Sequence, residues 1–240
     1  MRISLYIISL ALVVGLGSCS VKKNNFLSRN YHQLTTRYNV YFNGNQALKS
    51  GEKNMENRHK EDYTTLLPVF VSNNEQTRSL CSSDMDYAIE KAVKAIDKHS
   101  ITVKPRRRKN KDSKSYQTFR RKKEFNNQLD RCYLLLGKAY FYKKKYAMAN
   151  NTFRFIQRQY AEKEKIQTET AIWLFRSLTE MGRYDEAAQW MNHLEGCHLK
   201  RRQRELVAAA RTDFYVRQSM YPQAISEAVK LVGECRNMKR

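Results

Sequence analysis

A tyrosine followed three residues later by an alanine recurs at an almost constant interval, as Tyr146 and Ala149, Tyr184 and Ala187, and Tyr221 and Ala224. The alanines lie 38 and 37 residues apart. That period suits a unit of two helices and their connections, which cannot bury its apolar faces alone and must stack on copies of itself. Thirteen residues before the alanines stand Leu136, Leu174 and Arg211; nine before stand Tyr140, Leu178 and Tyr215; seven after stand Ile156, Leu194 and Leu231. Only Arg211 breaks the apolar pattern. In the first unit Tyr133, Leu136, Gly137 and Tyr140 make one helical stripe, and Tyr146, Ala149, Phe153 and Ile156 make a second. Lys143-Lys144-Lys145 is the corner between them. Gly137 and Ala149 are small enough for the helices to approach closely, while Tyr140, Tyr146 and Phe153 fill the space around that contact. Gly182-Arg183-Tyr184 reads as the same corner in the next unit, with Trp173 and Trp190 as packing residues on its helices. The spacing predicts three helical hairpins over residues 124–240.

The run bulky-x2-Leu-Gly-x2-Tyr followed by Ala-x3-Phe resembles a tetratricopeptide repeat, with connections a few residues longer than the ~34-residue repeat allows. Three prolines and eight glycines in 240 residues leave little to interrupt helices. The expected fold class is all-α, a tetratricopeptide-repeat-like solenoid of helical hairpins behind a lipoprotein signal peptide.

That signal is read from the amino terminus. Met1-Arg2 is followed by an apolar run over residues 3–16, shorter than the roughly 20 residues a spanning helix needs. Leu16-Gly17-Ser18-Cys19 then resembles a bacterial lipobox. The resemblance implies cleavage after residue 18 and a diacylglycerol on Cys19, with residues 19–30 as a tether. The expected location is the outer membrane, lipid-anchored and facing the periplasm. Nothing from Ser20 onward reads as a membrane span.

Residues 31–103 read as a degenerate helical region. Tyr31, Leu34 and Tyr38 share a helical face, Asn43-Gly44-Asn45 reads as a break, and Ala47 and Leu48 open a further stretch; a degenerate helix pair and one irregular helix both fit. Residues 59–82 read as extended, with Pro68 turning Leu67 away from helix and the Leu, Val and Phe side chains lying along the helices. Ser83 or Asp84 would cap a helix carrying Met85, Ala88, Ile89, Ala92, Val93 and Ile96, ending at Lys98-His99-Ser100. Residues 104–123 hold eleven Lys or Arg against one Asp, +10 of a formal net charge of +22, and read as a basic loop. Lys104, Arg106, Arg107, Arg108 and Lys109 are its candidate contacts for an acidic partner; anionic headgroups near the tether, or water alone, are the other readings.

No pattern points to catalysis, a cofactor or a small-molecule substrate. Cys19, Cys81, Cys132, Cys197 and Cys235 include no CxxC pair, and His193, Cys197 and His198 have no evident fourth ligand. Asp185-Glu186 and Glu162-Lys163-Glu164 read as solvated helix-end charge. The chain reads as a non-enzyme.

Cys19, Asn30-Tyr31-His32, Tyr38-Asn39-Val40-Tyr41-Phe42-Asn43-Gly44, Asp62-Tyr63, Leu67-Pro68-Val69-Phe70, Lys98-His99-Ser100-Ile101 and the Tyr133 repeat, in this order, resemble the start of the PorW/SprE lipoproteins. That family's association with type IX secretion and gliding motility implies an interaction scaffold whose partners are other proteins of a membrane-bound secretion complex, without nucleic acid. An outer-membrane protein assembly lipoprotein is the alternative of the same architecture. Binding of an anionic polymer or nucleic acid through the basic loop is the alternative of another class. Members of the family are longer, and the last hairpin runs almost to Arg240 without a polar capping helix. Either the repeats continue or that face docks on a partner.

Overall fold

The structure, a computed structural model, describes residues 21–73, 75–106 and 113–236. The proposed signal, Cys19 and the basic residues Arg107, Arg108 and Lys109 lie outside them. Among the described residues every regular element is helical. In chain order these are α1 (Phe26–Thr35), α2 (Phe42–Arg58), α3 (Glu75–His99), α4 (Lys114–Arg121), α5 (Leu129–Tyr142), α6 (Tyr146–Gln159), α7 (Glu164–Glu180), α8 (Tyr184–Glu195), α9 (Arg201–Arg217) and α10 (Tyr221–Arg236).

Asn25 starts α1, its side-chain oxygen accepting the Ser28 N–H at 2.7 Å. A π-helical segment, Thr36–Tyr41, joins α1 to α2. The reason lies in the buried face, Ser28, His32, Thr36, Val40, Gly44 and Leu48, which recurs every four residues. An α-helix would rotate such a row by about 40° at each step, and the slower winding of the i→i+5 turn takes up that drift. Asn43-Gly44-Asn45 is therefore no break; the chain forms one irregular helix through it. Gly44 and Gly51 are used for close approach instead. A Cβ on Gly44 would stand 2.8 Å from Leu135 Cδ2, and one on Gly51 would stand 2.5 Å from Met85 Cε.

α3 begins at Glu75, so neither Ser83 nor Asp84 caps it, and the extended reading of residues 59–82 fails from there onward. Cys81, fully buried beside Met85, Ala88, Leu48 and Met55, supplies the reason: its contact with α2 carries the helix through a polar run. Leu66 and Leu67 are exposed rather than laid on the helices. Phe70 and Val71 do pack, Phe70 with its ring 4.0 Å from the Arg176 guanidinium carbon.

The basic segment is not all loop. α4 forms within it, and Lys104 Nζ donates to the carbonyls of Arg120 and Lys122 at 2.9 and 2.7 Å at the end of that helix. Glu124 then ties the segment to α3. One of its oxygens accepts the N–H groups of Ile101, Phe125 and Asn126 at 2.7–2.9 Å, and the other accepts the Ser100 hydroxyl at 2.5 Å.

From Leu129 the chain forms three antiparallel pairs, α5/α6, α7/α8 and α9/α10. Each corner has one residue in the left-handed region: Lys144 at φ 56°, Gly182 at φ 68° and Ser219 at φ 58°. The next N–H, of Lys145, Arg183 or Met220, reaches back to the carbonyl of Tyr140, Leu178 or Tyr215 at 2.9–3.0 Å. This is one helix stop used three times. Gly137 sits against the Phe153 ring with no room for a Cβ. The apolar clusters form a series: α2, α3 and α5 share one, α5, α6 and α7 the next, and α7, α8 and α9 the third.

Candidate interaction surfaces

The first surface is the outward side of α10. Asn150, Arg154 and Gln157 are the side chains through which α6 meets the following hairpin. Asn150 donates to Ser177 at 3.3 Å, Arg154 to Glu186 at 2.7 Å and Gln157 to the Gln167 carbonyl at 2.9 Å. At the corresponding places in α8, Glu195 accepts from Arg211 at 3.0 Å. At the corresponding places in α10 stand Ile225, Val229 and Val232, apolar and 64–65% exposed, with Tyr221 half exposed beside them. The row is polar and engaged in α6, mixed in α8, where Ala188 is partly buried and Asn192 and Glu195 are exposed, and apolar and exposed in α10.

A second surface belongs to α1 and its continuation. Leu27, Tyr31, Leu34, Tyr38 and Phe42, spaced by four, three, four and four residues, are all exposed on the side away from His32 and Val40. Next to the start of this row lies a cleft of about 1060 Å³ between residues 22–29 and 103–119. Lys22, Lys23, Arg29, Lys104 and Arg106 line it, and none of the described residues lining it is acidic. Asn24 holds its two walls together, its side-chain amide donating to the Val103 carbonyl at 2.6 Å and its carbonyl oxygen accepting from Arg29 at 2.6 Å. The Arg29 guanidinium in turn lies 5.1 Å over the Phe119 ring.

Behind these surfaces the buried polar groups are engaged with one another. His32 and His99 meet Nδ1 to Nδ1 at 2.8 Å. The Asn126 amide donates to Thr36 Oγ1 and to the His99 carbonyl, both at 2.9 Å, closing α1, α3 and the approach to α5 around them. Burial first, then His32 and Lys94, push His99 down to about 4, so at neutral pH its ring is uncharged. Arg176 is buried among Phe70, Phe141 and Trp173, with its charge over all three rings. Tyr142 beside it donates to Glu52 at 2.9 Å, and burial raises that phenol far above its ordinary value. Burial likewise raises the Glu180 carboxyl against the opposing pull of Arg217, which lies 2.8 Å away. These groups join one helix pair to the next.

The residues singled out from the repeat pattern divide between core and corner. Leu136, Ala149, Phe153, Leu174, Ala187 and Ala224 are buried; Tyr133, Tyr140, Tyr146 and Tyr184 are partly buried at cluster edges; Gly182 is at a corner and Tyr221 is open. Trp173, on α7, is buried against Phe141 of α5 and Phe153 of α6, and Trp190 touches two clusters. Glu186 is not merely solvated, since it pairs with both Arg154 and Arg183, and Lys163 pairs with Asp130 at 2.7 Å. Arg211 turns its irregular place in the pattern into ion pairs with Glu195 and Glu227. Cys81, Cys132 and Cys197 are free thiols. Cys197 Sγ lies 3.8 Å from His193 Nε2, and no group of three potential metal ligands occurs among the described residues. No helix among those residues is long and apolar enough to cross a membrane. Glu124, Asn126 and Arg176 carry no periodic signal in the sequence, and His32 stands out there only as part of the Asn30-Tyr31-His32 run.

The sequence matches no family model and no curated protein. The surfaces must speak through their own chemistry.

Proposed function

We propose that the chain is a lipid-anchored, periplasm-facing scaffold of the tetratricopeptide-repeat kind that joins protein components of a membrane-associated secretion machine. The repeated corners at Lys144, Gly182 and Ser219 and the 37–38-residue period favour that repeat class. The observation that carries the scaffold reading is the open apolar side of α10. An amphipathic helix would cover it, as α7 covers the corresponding side of α6, whether that helix comes from a partner protein or from further repeats. Tyr221, Ile225, Val229 and Val232 would be its anchors. The PorW/SprE-like segments suggest the secretion setting, and Cys19 would carry the lipid.

Crosslinking in cells followed by membrane purification tests this. Recovery of secretion components, and their loss from an Ile225→Glu/Val229→Glu variant that keeps the helical content of the parent, is the expected outcome. Recovery of barrel-assembly components instead would reject the secretion setting, and an unchanged partner set in the variant would reject the α10 face. Cys19→Ala should abolish lipid labelling.

A further inference from the structure

Three observations around α1 meet at one place. Phe26 is seven residues on from Cys19, a separation of at most about 25 Å when fully extended. Whatever holds Cys19 thus keeps the start of α1 close by. The row Leu27, Tyr31, Leu34, Tyr38 and Phe42 is a continuous set of large apolar and aromatic side chains, up to 64% exposed. At its beginning lies the cleft whose described lining residues include Lys22, Lys23, Arg29, Lys104 and Arg106 and no Asp or Glu. The Asn24 to Val103 hydrogen bond matters here, because it brings the basic segment, 79 residues further along the chain, beside the tether.

We infer that this face lies on the membrane that anchors the chain, with the cationic cleft against anionic phospholipid headgroups and the α1 row at the level of the glycerol and upper acyl groups. The inference rests on the reading of the amino terminus as a membrane anchor. Tyrosine and phenylalanine favour the boundary between water and hydrocarbon, where the ring is buried and the hydroxyl stays wet. Lysine and arginine reach headgroup phosphates from the same helix while their stems lie along apolar surface. A protein partner could cover the row as well, but the short tether and the one-sided charge favour the lipid surface. Two weak attachments, a lipid chain and a basic patch, hold a protein far longer than either alone. The consequence is orientation: the domain would be pinned flat at its first helix, with a fixed presentation of the hairpins, instead of swinging on its tether.

The test uses the full chain with its own anchor, in vesicles of phosphatidylcholine alone or mixed with phosphatidylglycerol. Leu34→Cys is placed in a Cys197→Ser/Cys235→Ser background, with Gln189→Cys, on the exposed side of α8, as the reference site. Reaction with a membrane-impermeant maleimide should be slowed at least about tenfold at position 34 relative to position 189 in the anionic vesicles. The protection should disappear at high salt, or when Lys22, Lys23 and Arg106 are changed to alanine. Equal labelling of the two sites on chain that sediments with anionic vesicles overturns the inference. So does protection that is the same in both vesicle types, since the cleft would then contribute nothing. Failure of the anchor reading is a different result, with the chain remaining in the supernatant.

Discussion

The hairpins from α5 to α10 and the amino-terminal part from α1 to α3 are both helical, yet they are held in different ways. In the hairpins the deciding contacts are close in sequence and recur: the same corner at Lys144, Gly182 and Ser219, the same alanine at 149, 187 and 224. In the amino-terminal part the buried polar contacts between helices are made once and reach far along the chain. His32 meets His99 across 67 residues, and Thr36 meets Asn126 across 90. The first arrangement uses the same feature in each pair. The second uses each feature once.

That contrast can be broken most strongly at a hairpin contact buried in the core. Phe153→Ala should cost about 3–5 kcal/mol in urea unfolding, the range for removing a buried aromatic ring. Gly137→Ala alone should cost about 1–3 kcal/mol through overlap with that ring. The double variant should cost less than the two together, since the new methyl enters space the ring has left. Additive losses would show that Gly137 and Phe153 do not share a contact.

The amino-terminal part should instead respond to pH. His99 has its folded value lowered to about 4 from an ordinary 6.5. The unfolded chain therefore takes up a proton that the folded chain refuses as pH falls below 6.5. Stability present at neutral pH is lost through that window, by about 3 kcal/mol when pH 4 is reached. His99→Gln should flatten this part of the profile, measured as unfolding free energy at a series of pH values. A variant with the same slope as the parent would remove the histidine pair from the account.

The smallest effects should lie at the corners. Lys144→Gly and Ser219→Gly each relieve a side chain held at positive φ and should raise stability by about 0.5–1 kcal/mol, while Gly182→Ala should lower it by about 1 kcal/mol. Thermal unfolding of the three variants would resolve the signs. A loss in all three would mean that the lysine and serine side chains contribute more than their strain costs.

The hairpins could be read in advance because a period states its own phase: once Tyr146 and Ala149 are placed, Tyr184, Ala187, Tyr221 and Ala224 follow. Lys143-Lys144-Lys145 and Gly182 stand out as corners, whereas the left-handed Ser219 has no residue-type signal. Gly44 shows the opposite case. Propensity makes a glycine between two asparagines a helix end, but what α3 and α5 require of that position is the absence of a Cβ. Glu124 and Asn126 could not be picked out, because their partners' N–H and C=O groups come together only after α1 and α3 have packed.

The sequence by itself determined helicity, the number and phase of the hairpins, and the places where charge and apolar runs gather, all of which follow from spacing along the chain and from side-chain chemistry. Tertiary structure alone decided that α3 starts at Glu75, that α1 continues into α2 through a π-helical segment, and that residues 22–25 lie beside residues 103–106. Those outcomes depend on groups that meet across the fold, where one buried contact outweighs the weak local preferences of several residues.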